Sequence, residues 1–296
     1  MIDGVSLDQL RTFIASVDRG SFSAAGRALG RAQSVVSQSI ANLEAQLDLS
    51  LFDRSSRLPQ LTAEGRSLLE DARRIVRDTD LMKARARTFA QGLEAELSIV
   101  VDVMFPQERL TDALSDFTKE FPLTPLSIHI EALGAVAQLV LDGTCSLGIT
   151  GTLPFPPPEL VVEPLMREPM VTVVAPSSAL ARVEGPVPIA LVQREIQLVL
   201  SDRSRLTQGV DFGVQGKRLW RIADLGAKRA FLLAGLGWGH MPRWLVAADI
   251  AAERLVAVTL EGPAAGIMPF QSVFCSTSLP GPGGRWLIER LRSAAA

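Results

Sequence analysis

The alternation of apolar and polar residues is most regular between Phe22 and Arg54. Small and apolar residues with helical spacing predict a short helix that ends at Gly30. A second helix is predicted from Gln33 to Gln46, because its apolar residues recur every three or four positions and so share one face. These apolar residues are Val36, Ile40, Leu43 and Leu47. The pattern therefore predicts two helices joined by a tight turn and followed by a hairpin.

The opposite face of the second helix is polar, short and nearly uncharged. A solvated helix face usually carries Lys and Glu, whereas amide and hydroxyl groups hydrogen-bond base edges in the major groove. We interpret this segment as a helix-turn-helix whose second helix is the recognition helix. The residues expected to contact DNA here are Arg31, Gln33, Ser34, Ser37 and Gln38. The alternative is a polar helix in another kind of all-α domain.

A short hairpin is expected after the recognition helix. Two apolar segments, 51–54 and 59–62, flank a polar turn at 55–57, and this pattern indicates the wing of a winged helix-turn-helix. Arg54 and Arg57 are placed to contact phosphates or a minor groove, and the alternative is that both are solvated charges of the turn. The winged domain is expected to be all-α apart from this hairpin and to span residues 1–62.

One long helix is predicted next, from Ala63 to Gln91, with Thr62 as its N-cap. Its apolar positions alternate spacings of four and three, as in a coiled-coil seam. The residues expected to pair two chains are Leu68, Ala72, Ile75, Met82 and Phe89. The alternative is a helix packed on its own domain, but a length of about 40 Å would exceed that domain. Residues 63–92 are therefore interpreted as a linker and dimerisation helix.

From Leu97 onward, short apolar strands alternate with helices, which is typical of parallel β-α-β units. Strands are predicted at 97–103, 126–133, 146–150, 170–175, 196–200, 219–222, 255–259 and 271–277. Helices are predicted at 107–121, 135–142, 226–236, 244–252 and 285–293. A proline-rich segment separates two such sets, and the last strand and helix are expected to return to the first. The result is an α/β domain over 93–296, with lobe I at 93–158 and 267–296 and lobe II at 159–266.

Ligands of such sheets bind at the carboxyl ends of strands, in the crevice between lobes. The residues expected to contact a ligand are Asp102, Met104, Phe105, Thr150, Ser201, Asp202 and Trp238. The loop after the first strand carries an acid and apolar side chains. It lacks the hydroxyl donors that would bind an anion. We therefore expect an effector that is more aromatic or less anionic than a simple carboxylate. The alternatives are that Met104 and Phe105 only pack the hinge and that Trp238 belongs to the core.

Charge is divided unevenly along the 296 residues, whose net charge is −2. Residues 1–93 hold 13 basic and 11 acidic side chains, and the remainder holds 17 and 21. Affinity for phosphate is therefore expected from individually placed arginines and not from a broad basic field. No signal peptide and no membrane-spanning segment is recognised, so a cytoplasmic location without membrane association is expected.

Metal, cofactor and catalytic motifs are not recognised. Cys145 and Cys275 lie in apolar runs without a CxxC motif, and we interpret them as buried free thiols, with a redox pair as the alternative. The glycines of GLGWGHMP lack the spacing and the preceding strand of a dinucleotide fingerprint. With two histidines and no base beside a nucleophile, an enzyme is not expected.

An ordered set of motifs extends over about sixty residues: Leu-x-x-Phe, Gly-Ser-Phe, Ala-Ala, Leu-Gly, Gln-Ser, Val-Ser, Leu-Glu, Leu-Phe-x-Arg and Leu-Thr-x-x-Gly. In these motifs the chain resembles the N-terminal domain of LysR-type transcriptional regulators. Three positions depart from the family pattern: Ala32 replaces Ser, Arg31 replaces an apolar residue, and Gln38 replaces a frequent Arg. At Ala32 this removes an N-cap hydroxyl, a loss of about 1 kcal/mol.

The resemblance implies a winged helix-turn-helix, a dimerising linker helix and a two-lobed effector domain similar to periplasmic binding proteins. It implies double-stranded DNA, a small-molecule effector and a second copy of the chain as partners, in a homodimer or homotetramer. The second half matches by architecture more than by motif. The competing interpretation is a small-molecule-binding or enzymatic α/β protein with an N-terminal interaction module.

Overall fold

The computed structural model of the chain describes most of its residues. These are residues 4–53, 59–90, 94–151, 153, 155–201, 204–207, 210, 212–262 and 266–293. The chain divides into two compact units, residues 1–90 and 91–296, and the long helix belongs to the first. Over the described residues, none of the helices combines the length and the apolar character that crossing a membrane would need.

The first unit consists of helices and one short hairpin. Its elements are α1 (Leu7–Asp18), α2 (Phe22–Leu29), α3 (Gln33–Leu47), β1 (Phe52–Asp53), β2 (Gln60–Leu61) and α4 (Ala63–Ala90). The two strands pair antiparallel, with Phe52 opposite Leu61. Helix α3 begins at the predicted residue and ends one residue later than predicted. The helix-turn-helix, the hairpin and the long helix are confirmed as elements.

The core of the first unit is built from three aromatic rings and the apolar face of α3. The Phe52 ring meets Phe13 and Phe22 edge-on, at centroid distances of 5.7 and 5.2 Å. The buried residues of α3 are Val36, Ile40 and Leu43, as its spacing predicts. Gly30 ends α2 in the left-handed conformation, φ 67°, which an L side chain rarely adopts. Local sequence therefore fixes where α3 begins and which face it exposes.

The second unit is an α/β structure. Its strands are β3 (Leu97–Asp102), β4 (Leu126–Glu131), β5 (Leu147–Thr150), β6 (Leu160–Val174), β7 (Ile196–Leu200), β8 (Arg218–Ile222), β9 (Trp238–Pro242), β10 (Val256–Val258) and β11 (Ile267–Cys275). Its helices are α5 (Gln107–Glu120), α6 (Gly134–Leu141), α7 (Ile189–Val192), α8 (Leu225–Leu233), α9 (Arg243–Ala251) and α10 (Pro282–Ser293), with a 3-10 turn at Ala179–Arg182.

Two long strands connect the two halves of this unit. The strand order is β4-β3-β5-β11-β6-β9-β7-β8, with β10 beside β6. Strand β3 is parallel to β4 and β5, and β7 is parallel to β8 and β9. Strands β6 and β11 run antiparallel to each other along the middle, with a register shift at Phe270 and Gln271. The shared pair β6 and β11 thus joins the β3-side lobe to the β7-side lobe.

Two strands differ from the sequence prediction. Strand β6 extends from Leu160 to Val174, although only its last third was predicted, because Pro164 and Pro169 argue against a strand. Strand β9 covers Trp238–Pro242, in the glycine-rich GLGWGHMP segment, where no strand was predicted. Its pairing with β6 and β7 comes from distant parts of the chain. Tertiary pairing therefore overrides local glycine and proline signals at both places.

The two cysteines occupy the same region of the β3-side lobe. Cys145 is buried, as expected, and burial raises the pKa of its thiol to about 11. Cys275 is only half-buried, and its thiol donates a hydrogen bond to the Val140 carbonyl at 3.4 Å. A thiol with a raised pKa holds little thiolate at neutral pH, so Cys145 is a poor nucleophile.

Candidate functional site

The exposed face of α3 carries the amide and hydroxyl side chains predicted for it. Gln33, Ser34 and Gln38 are exposed, and Ser37 is half-buried. The Gln38 Nε2 donates a hydrogen bond to the Asn42 Oδ1 at 2.8 Å, one helical turn onward. This bond aligns two amide groups along one face, and amides of this kind pair with adenine edges.

Two residues on this face were missed by the sequence analysis. Val35 is 51% exposed beside the amides, although an apolar residue on a helix would be expected to face the core. Asn42 continues the line of Gln38 at i+4. Helical spacing could have found both, because Val35, Gln38 and Asn42 follow an i, i+3, i+7 pattern. An exposed Val next to amides supplies the apolar contact that a thymine methyl takes.

Arg31 stands at the entrance to α3 and is already paired within the domain. Its guanidinium donates two hydrogen bonds, of 2.6 and 2.7 Å, to the carboxylate of Asp8 in α1. This pairing lowers the pKa of Asp8. The neighbouring Ala32 is the N-cap residue of α3 and makes no side-chain capping bond, as expected from the loss of a hydroxyl. Arg31 is therefore near the expected surface but held by an acid.

The wing arginines Arg54 and Arg57 lie outside the described residues. The strands that lead to them are described, and Thr62 closes the hairpin on its far side. The Thr62 hydroxyl accepts a hydrogen bond from the Gly65 amide at 2.9 Å and donates one to the Ser50 carbonyl at 2.7 Å. Thr62 therefore caps α4, as predicted, while contacts of both arginines with DNA stay a prediction.

The expected seam on α4 divides into a buried and an exposed part. Ala72 is 3% exposed and packs with the half-buried Leu68 in the core of its own unit, so the prediction that Ala72 meets a partner chain is wrong. The physical reason is that the first half of α4 covers α1, where Arg73 pairs with Asp18 at 2.7 Å. The helix is thus in part packed on its own domain, which was the alternative interpretation.

The second half of the seam is different. Ile75 is 46% exposed and Met82 is 62% exposed, so both apolar side chains are available to another molecule. The side chain of Phe89 lies outside the described residues. A pairing surface, if α4 supplies one, therefore begins at Ile75 and continues toward Met82.

A cavity of about 250 Å³ lies between the two lobes of the second unit. Its walls combine the loop after β3, the start of α6, strands β7, β9 and β11, and helix α8. The lining residues are Met104, Leu133, Gly151, Met170, Gln197, Leu198, Val199, Leu200, Phe212, Gly213, Lys228, His240, Ile267, Met268 and Pro269. Methionine, leucine and proline side chains make up most of this wall, and three polar side chains, Gln197, Lys228 and His240, interrupt it.

Among the predicted contact residues on the lobe I side, Met104 lines this cavity. Asp102 is buried beneath the loop, and its Oδ1 accepts the Met104 amide at 2.9 Å. The Phe105 ring packs edge-on against Phe270 at 5.2 Å. Asp102 and Phe105 therefore shape the loop from behind, while Met104 faces the cavity. Packing of the hinge, the alternative weighed for this loop, accounts for Phe105.

The remaining predicted residues are distributed around the cavity. Thr150 is fully buried beside the lining residue Gly151, and its hydroxyl has no hydrogen-bond partner within the described part of the chain. Ser201 lines a separate depression of about 520 Å³ together with Glu131, Gln138 and Asp224. Asp202 lies outside the described residues. Neither Thr150 nor Ser201 is brought into the wall of the 250 Å³ cavity.

The prediction that Trp238 contacts a ligand is wrong. Its ring is fully buried in a separate apolar cluster, and its indole N–H donates to the Val192 carbonyl at 3.3 Å. His240 lies two residues on, on the same face of β9, and its ring meets the Trp238 ring edge-on at 5.6 Å. His240 lines the cavity and Trp238 does not, because Trp238 packs in the neighbouring cluster. The tryptophan is a core residue, which was the alternative interpretation.

Two polar groups of the wall were missed as ligand contacts. The Lys228 ammonium, on α8, donates a hydrogen bond to the His240 carbonyl at 2.8 Å. Burial lowers the pKa of Lys228 to about 8. Burial and the nearby Lys228 charge lower the pKa of His240 to about 4, so its imidazole is neutral at pH 7. Its Nδ1 shares a hydrogen bond of 2.9 Å with the Thr172 hydroxyl.

The two lobes approach each other closely at the start of α6. A Cβ atom on Gly134 would lie 2.6 Å from the Ser204 Oγ and 2.7 Å from the Thr207 Cγ2. The preceding residue, Leu133, has φ 52° and ψ −126°, an uncommon conformation for a residue with a side chain. Because Leu133 also lines the cavity, this strained residue lies where the cavity meets the junction of the lobes.

Comparison with known proteins covers both units. Residues 7–66 match the family described as "Bacterial regulatory helix-turn-helix protein, lysR family", and residues 90–296 match "LysR substrate binding domain". The HTH-type transcriptional regulator AceR of Acinetobacter baumannii is 32% identical over 81% of this chain and 80% of its own length. The HTH-type transcriptional activator AllS of Klebsiella pneumoniae is 29% identical over 85% of this chain and 94% of its own.

The fold also matches solved structures. An OxyR mutant from Corynebacterium glutamicum has a TM-score of 0.63 and 22% identity, over 98% of this chain and 92% of that one. At this identity the likeness concerns the fold alone. It extends over the helix-turn-helix, the long helix and the two-lobed unit together.

Proposed function

Because the chain belongs to the LysR family of bacterial helix-turn-helix regulators, we propose a division of labour between its two units. The protein is a DNA-binding transcriptional regulator with an effector-binding domain. We propose that α3 reads the operator and that the 250 Å³ cavity receives the effector. The observation that carries this proposal is the exposed row of amide and hydroxyl side chains on α3. A helix face that only meets solvent usually carries Lys and Glu at such positions.

The proposed reading surface is the line Val35, Gln38 and Asn42, with Gln33 and Ser34 at the N-terminal end of α3. Because Gln38 Nε2 donates to Asn42 Oδ1, the Gln38 oxygen and the Asn42 amide hydrogens are left for a base edge. A donor and an acceptor side by side match the adenine edge in the major groove, and Val35 suits a thymine methyl. We therefore expect A·T base pairs at the centre of each half-site.

Phosphate contacts are assigned to Arg31, Arg54 and Arg57. They would position α3 on the duplex without carrying sequence information. Arg31 must exchange Asp8 for a phosphate or share its guanidinium between the two.

Helix-turn-helix domains bind the two half-sites of a two-fold operator as a dimer. We therefore propose a homodimer or homotetramer in which Ile75 and Met82 help to join chains.

The effector is proposed to act through the lobes. A ligand in the cavity would touch Met104 and Leu133 on one side and Phe212 and His240 on the other. Such a ligand favours the arrangement in which both sides are in contact, and this preference is the free energy available to change DNA binding. We propose that this occurs without catalysis and in the cytoplasm, where the chromosomal operator is.

A mobility-shift experiment tests this function. The DNA upstream of the protein's own gene is titrated with the full chain against a scrambled duplex of the same length, at about 0.15 M salt, where non-specific binding weakens. We expect retardation of the upstream DNA at concentrations at least about a thousandfold below those for scrambled DNA. Equal affinity for both would contradict the assignment if footprinting on several other promoters also showed no preferred site.

A further inference from the structure

The α8 face of the cavity contains a positive charge, that of Lys228, which no carboxylate of the described residues pairs with. Lys228 is 3% exposed, and its Nζ makes one hydrogen bond, to the His240 carbonyl. An ammonium has three N–H donors, so two are left. In the described part of the chain Lys228 has no ion pair with a carboxylate.

The next residue on α8, Arg229, is a cation that is paired with a buried carboxylate and so offers a comparison with Lys228. Arg229 donates two hydrogen bonds, of 2.6 and 2.8 Å, to the fully buried carboxylate of Asp249. Arg254 binds the same carboxylate at 2.6 Å. One carboxylate therefore binds two arginines, Arg229 and the exposed Arg254, whereas among the described residues no carboxylate binds the more deeply buried Lys228. Burying an ammonium without a counter-ion is unfavourable, so its presence calls for a role other than stability.

The other two polar side chains of the wall are neutral and bonded within the protein. The Gln197 oxygen accepts the amides of Gln215 and Gly216, and its nitrogen donates to the Gly213 carbonyl at 2.7 Å. His240 is bonded to Thr172 through Nδ1 and is neutral at pH 7. Gln197 keeps one amide N–H, whereas Lys228 is charged and keeps two N–H donors.

From this arrangement we propose that the effector carries a carboxylate or a similar oxyanion, bound by the Lys228 ammonium, and an apolar body seated against Met104, Leu133 and Phe212. The inference rests on the proposed function and specifies the chemical class of the effector. Charge-assisted hydrogen bonds to a carboxylate would use the two free N–H donors. The sequence predicted a less anionic effector from the loop after β3 alone. The proposed anion-binding group, Lys228, lies instead on α8 in lobe II.

The cavity also limits the size of the apolar body. A closed apolar cavity of about 150 Å³ holds benzene, so 250 Å³ suits one substituted ring or a branched chain with its acid group. The wall supplies thioether and hydrocarbon contacts from Met170, Leu198 and Met268. Polar substituents far from the acid would lie against these side chains without partners. The proposed class is therefore an aromatic or aliphatic monocarboxylate with one acidic end.

The test compares acids with neutral isosteres on the full-length protein. The probes are benzoate, phenylacetate, salicylate and 4-methylpentanoate, each with its amide, measured by calorimetry and by melting curves at pH 7. We expect at least one acid to bind, and to bind roughly 10- to 100-fold more tightly than its amide, because a hydrogen bond to a charged group is the difference. In Lys228→Met this preference should disappear. In Lys217→Met, an exposed lysine of the same lobe, it should persist.

Each outcome decides the inference separately from the function. Amides that bind as well as acids, or an acid preference that survives in Lys228→Met, would overturn the role of Lys228 while leaving the cavity as the effector site. Failure of every acid at about 10 mM would also overturn it, since a free buried ammonium should attract them. Melting curves show whether Lys228→Met is folded, and Lys228→Arg, which keeps the charge, should retain part of the preference. Operator binding without effector, by mobility shift, tests the proposed function independently.

Discussion

The indole N–H of Trp244, at the start of α9, donates a hydrogen bond to the Met104 carbonyl oxygen, 3.0 Å away in the loop after β3. This bond crosses from one lobe to the other and ends on a residue that lines the cavity. Trp244→Phe keeps an aromatic ring and removes the donor. We expect the free energy of unfolding to fall by about 1 kcal/mol, in urea titrations, because a half-buried carbonyl loses its partner. An unchanged midpoint and slope would show that the bond does not hold the lobes.

The Asp8–Arg31 pair predicts a variant that binds DNA more tightly. Asp8→Asn removes the carboxylate that occupies Arg31 and leaves the guanidinium for a phosphate. We expect tighter binding to operator and scrambled DNA alike, with the salt slope steeper by about one unit, as for one added phosphate contact. Asp18→Asn, which removes one of the two carboxylates that bind Arg73 on α4, is the control for the loss of a negative charge and should leave the slope unchanged. A gain confined to the operator would contradict this account.

The exposed half of α4 predicts a variant with weakened assembly. Met82→Asp would place a charge in an apolar contact between chains, which is unfavourable without a partner. We expect light scattering of the full chain to show a smaller mean mass than wild type at the same concentration. Lys83→Asp adds an acid at the next, also exposed, residue and should change the mass less. Equal masses for wild type and Met82→Asp would remove Met82 from the interface.

The buried Lys228 predicts an unusual dependence of stability on pH. Its pKa is lowered from 10.5 to about 8 in the folded chain, so between these values the unfolded chain binds more protons. Stability should therefore rise with pH through this window, and the destabilising effect is fully present below pH 8. Lys228→Met should raise the free energy of unfolding at pH 7 by about 1–3 kcal/mol, and less at pH 10.

Few other side chains titrate between pH 8 and pH 10.5 and so affect the comparison of wild type with Lys228→Met, because the chain has no tyrosine. The raised pKa of Cys145 acts in the opposite direction above pH 9, but it is present in both proteins and cancels in their difference. Two results would show that the Lys228 charge does not destabilise the fold. Lys228→Met could be less stable than wild type at pH 7, or the difference between their free energies of unfolding could stay the same at every pH.

The helix-turn-helix could be predicted from the sequence because it depends on local information. Gly30 and the spacing of Val36, Ile40 and Leu43 fix the bounds and the exposed face of α3, and the structure agrees within one residue. The burial of Ala72 could not be predicted, because the same heptad pattern serves a partner chain and the domain's own core. Only the position of α1 against α4 decides between them.

The cavity was harder to predict because strands from distant parts of the chain build it. Met104 was found from the rule that ligands lie at strand ends, but Lys228 looks like an ordinary solvated residue of an amphipathic helix. It is buried because β9 passes over it: a Cβ on Gly239 would lie 3.2 Å from the Lys228 Cε. Strand β9 itself was not predicted, so the burial of Lys228 could not be foreseen, and a core position of Trp238 was only one of two alternatives.

The most direct test of the account is the affinity of Gln38→Ala for operator and for scrambled DNA, measured by fluorescence anisotropy at one salt concentration. Gln33→Ala provides a second position on the same helix, and Gln107→Ala, an exposed glutamine of the second unit, is the matched control. If α3 reads bases through this face, Gln38→Ala should weaken operator binding by about 1–3 kcal/mol and scarcely affect scrambled DNA. Equal losses on the two duplexes, or no loss on either, would contradict the claim that this face reads the operator.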